Sequence, residues 1–347
     1  MASRPYRIGV VGASSLLGKE LGDELGESLL AASTVVLLED DEEVAGQVTS
    51  AGEEAAFIQK IEPAAFEGMD FVFFAGDADS TKRHWQQARR AGASIVDLTY
   101  ALEEEKDALV MAPWVSDAQS SAKREPDLKT PAVIAAHPVA LMLALVEERL
   151  EAGIGVKGLA ATVMEPASEH GRAAMDEMHQ QTVSLLSFQN VPKELYDAQV
   201  SFNILPILGE NAKVKLARTG QRIRTQYAQL TSGSAPLALQ MLQAPVFHGY
   251  AVSLLVDLAK PVTVAEVESA LQGEHVDLVS DDGEPPSNLS AAGQEDIMIR
   301  IVDDFGDAER GTRFWLWMAA DNLKLAALNA IACAVELRRL RPSGKVQ

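Results

Sequence analysis

The sequence of 347 residues has little cysteine and no long apolar run. Its single cysteine excludes a framework of disulfide bonds and is typical of a reducing compartment. No stretch approaches the roughly 20 consecutive apolar residues of a membrane-spanning helix, and the opening MASRPYR lacks the apolar core of a secretory signal. From these absences we expect a soluble protein of the cytoplasm.

Positive charge is also scarce. Lysine and arginine together number 30, against 50 aspartates and glutamates, which gives a formal net charge of −20. Nucleic acids and anionic membranes attract basic surfaces, so we expect neither as a partner. Hydrophobic residues make up 47% of the chain, enough to bury a sizeable core, and the length is typical of two domains.

The residues after Tyr6 read as a strand, a glycine-containing turn and an amphipathic helix. This order opens a dinucleotide-binding βαβ unit, whose helix N-terminus offers N–H groups to a pyrophosphate. Gly12 would allow the tight turn and Gly18 a close approach of helix and strand, while Ser15 stands where a third glycine would be. The pattern G-x-x-S-x-x-G is short, so an ordinary tight turn is the alternative. The cofactor-binding candidates in this loop are Gly12, Ser14, Ser15, Leu16 and Gly18.

Thr34–Glu39 reads as the second strand, and it ends in an acid about twenty residues after Gly18. A carboxylate at that place would accept the ribose hydroxyls of NAD, which makes Glu39 a cofactor-binding candidate. The next four residues, 40–43, are all acidic and would present like charge, rather than an arginine, to the 2′-phosphate of NADP. We therefore predict NAD in preference to NADP. The alternative interpretation of the acidic run is a solvated loop.

Strands and helices continue to alternate up to residue 138, so we expect a mostly parallel sheet. Ligands bind such sheets beyond the carboxyl ends of the strands, which adds Gly76 and Asp97 to the cofactor-binding candidates. The predicted elements are strand Asp70–Gly76, helix 80–91, strand Ser94–Asp97, strand Ala132–Ala135 and an apolar helix that His137 and Pro138 open.

Beyond Gly153 the pattern indicates a strand-rich α+β domain. A capping box of Thr263 and Glu266 marks the start of one helix. The predicted elements are strand Gly158–Met164, helix Gly171–Leu186, a short buried segment Ser201–Pro206, antiparallel strands Leu237–Gln243 and Tyr250–Leu258, helix Thr263–Leu271, strands Ile297–Val302 and Arg313–Ala320, and a final helix Asn322–Leu340.

Two domains follow from this division of patterns. We predict a dinucleotide-binding domain of residues 1–138 together with the C-terminal helix 322–342, and a substrate and dimerisation domain of residues 139–321. The stretch 276–296, rich in Asp, Gly, Pro and Ser, is expected to be a mobile loop.

Several stretches resemble the aspartate-semialdehyde dehydrogenase family, and the resemblance covers nearly the whole chain. They are IGVVGASSLLGKEL, FVFFAGDADSTK, AGASIVDLTYAL, SFNILP, APVFHGY and AADNLKLAALNAIACAVEL. The resemblance implies an α/β fold with a Rossmann-type NAD(P)-binding domain and an α+β domain that carries the substrate site and forms a homodimer. It also implies reduction of aspartyl phosphate by NADPH, through a thioester on cysteine and with a histidine as base.

The chain departs from the family at the residues that perform this chemistry. Val139 stands where the family has its nucleophilic cysteine, and a valine cannot form a thioester. Tyr250 replaces the histidine base, and a phenol with an ordinary pKa of roughly 10 is a poor base near neutrality. Glu103 occupies the place of the arginine that grips the substrate phosphate, which a carboxylate would repel. Asp77 also replaces a second glycine of the family. Because the nucleophilic cysteine is absent, the resemblance is closest to a cysteine-lacking branch of the family.

These simultaneous losses predict a non-catalytic homologue with a binding, regulatory or dimerisation role. The alternative is an active NAD-dependent dehydrogenase that transfers hydride directly to a non-phosphorylated substrate. A non-catalytic homologue could also have lost all cofactor binding. Both hypotheses are compatible with a small-molecule ligand.

Other side chains offer weaker alternatives. His137, His248 and His170 could together bind a metal or act as acid and base, or they could be ordinary loop and capping histidines; we predict no metal. Arg218, Arg222 and Arg224 could hold an anion or form a solvated helix face. The single cysteine, Cys333, is expected to be a core residue.

Overall fold

The computed structural model describes residues 5–30, 34–51, 54–62, 64–117, 126–127, 129–231, 235–280, 282–303, 306 and 308–340. The chain divides into two compact units. Unit 1 comprises Met1–Pro113, Lys123–Ala136 and Ala326–Gln347, and unit 2 comprises Trp114–Ala122 and His137–Leu325. Within the described ranges, no helix is long and apolar enough to cross a membrane.

Unit 1 is built around an eight-stranded sheet. From Arg7 to Ala135 the elements are β1 Arg7–Val11, α1 Leu16–Glu27, β2 Thr34–Glu39, β3 Val48–Ala51, β4 Glu54–Lys60, β5 Phe71–Phe74, α2 Ala78–Arg90, β6 Ser94–Asp97, β7 Leu109–Met111, α3 Pro113–Asp117 and β8 Val133–Ala135. The strand order is β3-β4-β2-β1-β5-β6-β8-β7. All neighbours pair in parallel except β3 and β4. The predicted mostly parallel sheet is confirmed.

The central strand β5 shows why these segments read as continuous apolar runs. Phe71 and Phe73 belong to one buried cluster, and Val72 and Phe74 belong to another. Successive side chains of a strand point to opposite faces, so this sheet is covered on both faces. A parallel strand in this setting has no solvent-facing side on which polar residues would alternate.

Helix α8, which in chain order is the last, lies in the core of unit 1 beyond residue 325. It spans Asn322–Arg338, and its Ala327, Ala330 and Cys333 pack in the same cluster as Ile8. The Cys333 thiol lies 3.6 Å from the carbonyl oxygen of Met111, and burial raises its pKa. The prediction that Cys333 is a core residue is confirmed.

Unit 2 contains a six-stranded sheet with helices. Its elements are α4 Pro138–Gly153, β9 Val156–Glu165, a 3₁₀ turn Ala167–His170, α5 Gly171–Leu186, α6 Leu216–Leu230, β10 Leu237–Gln243, β11 Tyr250–Val262, α7 Val264–Leu271, β12 Val276–Leu278, β13 Ile297–Asp303 and β14 Gly311–Ala320. The strand order is β10-β9-β11-β14-β13-β12. The capping box of Thr263 and Glu266 is confirmed at the start of α7.

Strands β10 and β11 run antiparallel as predicted, but they are not neighbours: β11 pairs antiparallel with β9, and β10 pairs in parallel with β9 after a crossover connection that contains α5 and α6. Two other predictions for unit 2 were wrong. The segment Ser201–Pro206 is not buried, since Phe202 is 67% exposed. The stretch 276–296 is not all loop, since it begins with β12, which pairs in parallel with β13; residue 281 lies outside the described residues.

Helix α4 is buried around most of its circumference and carries one carboxyl group into the interior. Glu147 is 1% exposed, and neither of its oxygens has a hydrogen-bond partner of ordinary geometry among the described residues. Burial raises the pKa of Glu147, and the nearby hydroxyl of Tyr227 offsets this only in part. The carboxyl is therefore favoured in its neutral, protonated form.

Candidate functional site

The glycines of the first loop are required by packing within unit 1. Gly12 has a φ of 84°, and a Cβ built on it would lie 2.2 Å from the Cα of Gly76. A Cβ on Gly18 would lie 2.1 Å from the carbonyl oxygen of Gly12. The structure thus brings Gly12 and Gly76, predicted on one rim, into direct backbone contact.

Ser15 is the N-cap of α1, the helix that begins at Leu16. Its hydroxyl accepts a hydrogen bond from the amide of Gly18 and donates one to the carbonyl of Ala75, each at 2.8 Å. The side chain that stands in place of a third glycine therefore joins the loop to the end of β5.

Glu39 lies at the carboxyl end of β2, next to this loop. Its Oε1 accepts a hydrogen bond from the amide of Ser14 at 2.7 Å and another from the hydroxyl of Ser14. The carboxylate is thereby held beside the helix N-terminus, where an acid would meet the ribose of a dinucleotide.

Asp40, the next residue, is surrounded by donors from α2. Its carboxylate lies 2.6 Å from the guanidinium of Arg83, 2.6 Å from the ring of His84 and 2.7 Å from the hydroxyl of Ser80. Burial acts to raise the pKa of Asp40, but the hydrogen bonds from Arg83, Ser80 and His84 together lower it. The expectation that this region holds no arginine was wrong, because α2 supplies Arg83.

Two further acids of unit 1 serve local structure. Asp77 caps α2, accepting a hydrogen bond from the amide of Ser80 at 2.8 Å. Asp97 is 0% exposed and accepts hydrogen bonds from the Thr99 and Leu102 amides and the Thr99 hydroxyl, at 2.7 to 3.0 Å. Burial raises the pKa of Asp97. Its carboxylate thus holds the turn that follows β6. Glu103, just after this turn, is exposed.

In unit 2, three polar residues meet at one end of the sheet. Glu165 and Gln243 end β9 and β10 and are direct partners in the parallel register. Tyr250 begins β11, and the antiparallel register that pairs Ala251 with Met164 brings Tyr250 beside Glu165. All three side chains are 0% exposed.

His137 joins this end of the sheet from the N-terminus of α4. Its backbone amide donates to Gln226 at 2.7 Å, and its Nδ1 accepts from the amide of Val139 at 3.2 Å. Because Nδ1 accepts, a neutral ring carries its proton on Nε2. Nε2 lies 3.3 Å from the Tyr250 hydroxyl and 3.3 Å from Glu169 Oε1. We call His137, Glu169 and Tyr250 the His137 cluster.

One more carboxylate, Glu165, and a second histidine, His170, lie beside the cluster. His170 Nε2 lies 2.6 Å from Glu165 Oε1. Burial alone would lower the pKa of His170, but the charge of Glu165 raises it overall. Burial likewise would raise the pKa of Glu169, but His137, His170 and the Tyr250 hydroxyl lower it. Both groups are therefore favoured in their charged forms.

Val139, the residue that the resemblance aligns with the family's nucleophile, is the second residue of α4 and is 0% exposed. The structure places Val139, His137 and Tyr250 together. His248, two residues before Tyr250 in sequence, is half-buried and makes none of the cluster contacts that the structure describes. Among the described residues, no group of three or more His, Cys, Asp or Glu side chains could hold a metal.

The three arginines of α6 are in different environments. Arg222 is half-buried and close enough for its charge to act on His170. Arg224 donates to the carbonyl of Leu239 at 2.6 Å, and Arg218 is exposed.

Two residues of the site, Glu165 and Glu169, were not predicted from the sequence. The acid before the A-S-x-x-G segment was the available signal.

Comparison with known proteins shows that two parts of the chain match two domains of one protein family. Residues 7–122 match the NAD-binding domain of semialdehyde dehydrogenase, and residues 149–325 match the semialdehyde dehydrogenase dimerisation domain. These matches confirm the predicted fold class of a Rossmann-type NAD(P)-binding domain plus a second, dimerisation domain.

Relatives match over almost their full length. The chain is 24% identical over 341 residues to an aspartate-semialdehyde dehydrogenase of Rickettsia bellii, covering 96% of this chain and 98% of the relative. It is 29% identical over 332 residues to the USG-1 protein homolog of Pseudomonas aeruginosa, covering 95% and 96%.

Solved structures agree. A structure described as "a probable aspartate-semialdehyde dehydrogenase" from Pseudomonas aeruginosa is 28% identical, with a TM-score of 0.83 and coverage of 96% of this chain and 98% of that chain. The aspartate semialdehyde dehydrogenase II of Vibrio cholerae, at 19% identity, also has a TM-score of 0.83, over 97% and 99%, and supports the fold alone. The chain belongs to the semialdehyde dehydrogenase family and is aspartate-semialdehyde dehydrogenase-like.

Proposed function

We propose that this protein binds a dinucleotide, with NAD preferred over NADP, and does not catalyse the family's reduction of an acyl phosphate. The observation that carries the proposal is Val139. By the resemblance it stands where the family has its nucleophile; in the structure it is 0% exposed and lies at the start of α4, where its amide donates to His137. The protein is then a non-catalytic homologue with a binding or regulatory role.

The covalent route requires a thiolate, which this chain cannot supply at the site. Its one cysteine, Cys333, is buried in the core of unit 1, and burial raises the pKa of its thiol. Tyr250 is 0% exposed, so its hydroxyl contacts protein groups such as His137. Exposed Glu103, where the resemblance places a phosphate-binding arginine, adds a repulsive charge.

The residues of unit 1 nevertheless fit a dinucleotide. The loop Gly12–Gly18 leads into α1, and Ser14 holds the Glu39 carboxylate at the carboxyl end of β2. Helix α1 would hold the pyrophosphate, and Glu39 the adenosine ribose. When bound, the nicotinamide would supply the capacity to transfer hydride.

The first test is the family reaction itself. Purified protein given aspartate semialdehyde, phosphate and NAD⁺ or NADP⁺ is expected to reduce no nicotinamide above the protein-free rate, because no thiol can form the acyl intermediate. NADH should still raise the melting temperature, since a ligand that binds only the native state stabilises it. A triple variant, Val139→Cys with Tyr250→His and Glu103→Arg, is compared with Val139→Ala alone. Turnover by the unaltered protein would refute the proposal.

The alternative is an active dehydrogenase that uses NAD on a non-phosphorylated substrate. The place of the Tyr250 hydroxyl, 3.3 Å from Nε2 of His137, favours it, since a phenol beside an imidazole nitrogen could exchange a proton with it. Consumption of NADH with simple aldehydes, lost in Tyr250→Phe but with NADH binding intact, would support this alternative instead.

We further propose a homodimer formed through unit 2. Large apolar side chains are exposed in the region between the end of α5 and residue 207, inside the matched dimerisation domain. They are Leu186 at 70%, Phe188 at 98%, Phe202 at 67%, Ile204 at 57% and Ile207 at 79% exposure. Exposed apolar groups concentrated in this way are typical of protein interfaces.

Replacing two of these residues should separate the subunits. Phe188→Asp with Ile207→Asp is expected to halve the mass measured by light scattering, because two charges would be buried without partners. Phe57→Asp, at a 66% exposed apolar residue of unit 1, is the matched control and should leave the mass unchanged. A double variant with the parental mass would exclude this surface.

A further inference from the structure

We propose that Asp40 determines which dinucleotide binds, by holding Arg83 in an ion pair and the ring of His84 in a hydrogen bond and so keeping a latent 2′-phosphate site closed. This inference rests on the proposed binding of a dinucleotide by unit 1. The Asp40 carboxylate would then discriminate between NAD and NADP, and its removal should allow NADP to bind.

The position of this cluster places it at the adenosine end of the site. Asp40 directly follows Glu39, which Ser14 fixes beside the N-terminus of α1. A 2′-phosphate would be attached to the ribose that Glu39 is proposed to bind, so it would project toward the neighbouring residue. Arg83 and His84 reach the same point from α2, and Arg83 is 56% exposed at its side chain, within reach of a ligand.

The charges around Arg83 explain why it does not serve a phosphate in the present sequence. Its guanidinium contacts Asp40, and the charges of Asp77 and Asp79 also act on it. Three carboxylates thus surround one arginine, and the Asp40 carboxylate is 2.6 Å away from both Arg83 and His84. A phosphate carrying about −1.5 to −2 charge would meet a cation that is already neutralised.

Loss of the Asp40 charge should reverse this balance. In Asp40→Asn the amide oxygen can still accept the hydrogen bond of Ser80, but the ion pair with Arg83 is gone. Arginine is well suited to bind phosphate through paired N–H groups once it is released. Asp40 is part of a loop on the surface, with a side chain that is 29% exposed, so the substitution is compatible with folding.

The experiment measures the dissociation constants of NADH and NADPH, and of 5′-AMP and adenosine 2′,5′-bisphosphate, by calorimetry. The unaltered protein is expected to prefer NADH. Asp40→Asn should improve NADPH binding relative to NADH by about tenfold or more, the factor expected for one charge-assisted hydrogen bond. The two adenosine probes should show the same change, since the effect concerns only the 2′-phosphate.

Two controls isolate the mechanism. Asp41→Asn removes an equal charge one residue away and should change the ratio by far less, while Arg83→Gln added to Asp40→Asn should cancel the gain. Preserved NADH binding with no gain for NADPH in Asp40→Asn would overturn the inference alone. A preference of the unaltered protein for NADPH would overturn the inference together with the proposed preference for NAD. Failure of both proteins to bind any of the four probes would overturn the proposed function, and this inference with it.

Discussion

His137→Ala is expected to lower the free energy of unfolding by about 3–5 kcal/mol, the range for removing one partner of a buried charged or polar pair. The ring is 0% exposed, so its loss leaves a cavity. The amide of Val139 loses the N-cap acceptor of α4, and Glu169 loses the closest contact that lowers its pKa. Urea denaturation of the purified variant gives the measurement.

Two companion variants separate these contributions. His137→Asn keeps a strong capping side chain but loses the contacts of Nε2, so it should recover about 1 kcal/mol relative to alanine. Tyr250→Phe removes only a hydroxyl and should cost about 1 kcal/mol. If alanine at position 137 cost no more than phenylalanine at position 250, the cluster would not stabilise unit 2 as argued.

Gly12→Ala is expected to cost at least about 4 kcal/mol and to abolish dinucleotide binding, because steric clash adds to backbone strain. The added Cβ would lie 2.2 Å from backbone atoms of Gly76, and a φ of 84° is unfavourable for alanine. Neither residue can move without displacing the ends of β1 and β5. Melting temperature and an NADH titration report the two effects.

The chain offers a matched control for the strain. Gly46 has a φ of 88°, but a Cβ built on it would meet nothing within 4 Å. Gly46→Ala should therefore cost only the left-handed conformation, about 1–2 kcal/mol. Equal losses in the two variants would show that the contact between Gly12 and Gly76 is not tight.

The sequence was most informative where burial produces a plain pattern. Strands β2 and β6 match their predicted bounds, because both are apolar runs that end in an acid. Strands β3 and β7 escaped detection because they are short and form the two edges of the sheet. Strand β4, seven residues long and next to one edge, escaped detection because its composition is mixed. Exposed apolar side chains caused the opposite error: because Phe202 is apolar, the segment Ser201–Pro206 was predicted to be buried, but Phe202 is exposed.

The candidate site was harder to predict because its members meet only in the folded chain. His137 and Tyr250 are 113 residues apart, and strand register determines that Tyr250 lies beside Glu165. Val139 and Tyr250 could be singled out by resemblance, but Glu169, which interacts with His137 and Tyr250, could not. Likewise, Arg83 reaches Asp40 from a helix whose orientation no local pattern specifies.

The buried carboxyl of Glu147 couples folding to proton binding. Because burial raises its pKa, the native state keeps a proton that the unfolded chain releases above a pH near 4.5. Stability is therefore fully present below that pH and falls above it, by up to about 1.4 kcal/mol per pH unit, until the native carboxyl ionises. His170 extends the trend, since its raised pKa gives the same sign above a pH near 6.5. An acidic protein thus contains two interior groups whose protons favour the folded state on the acid side of neutrality.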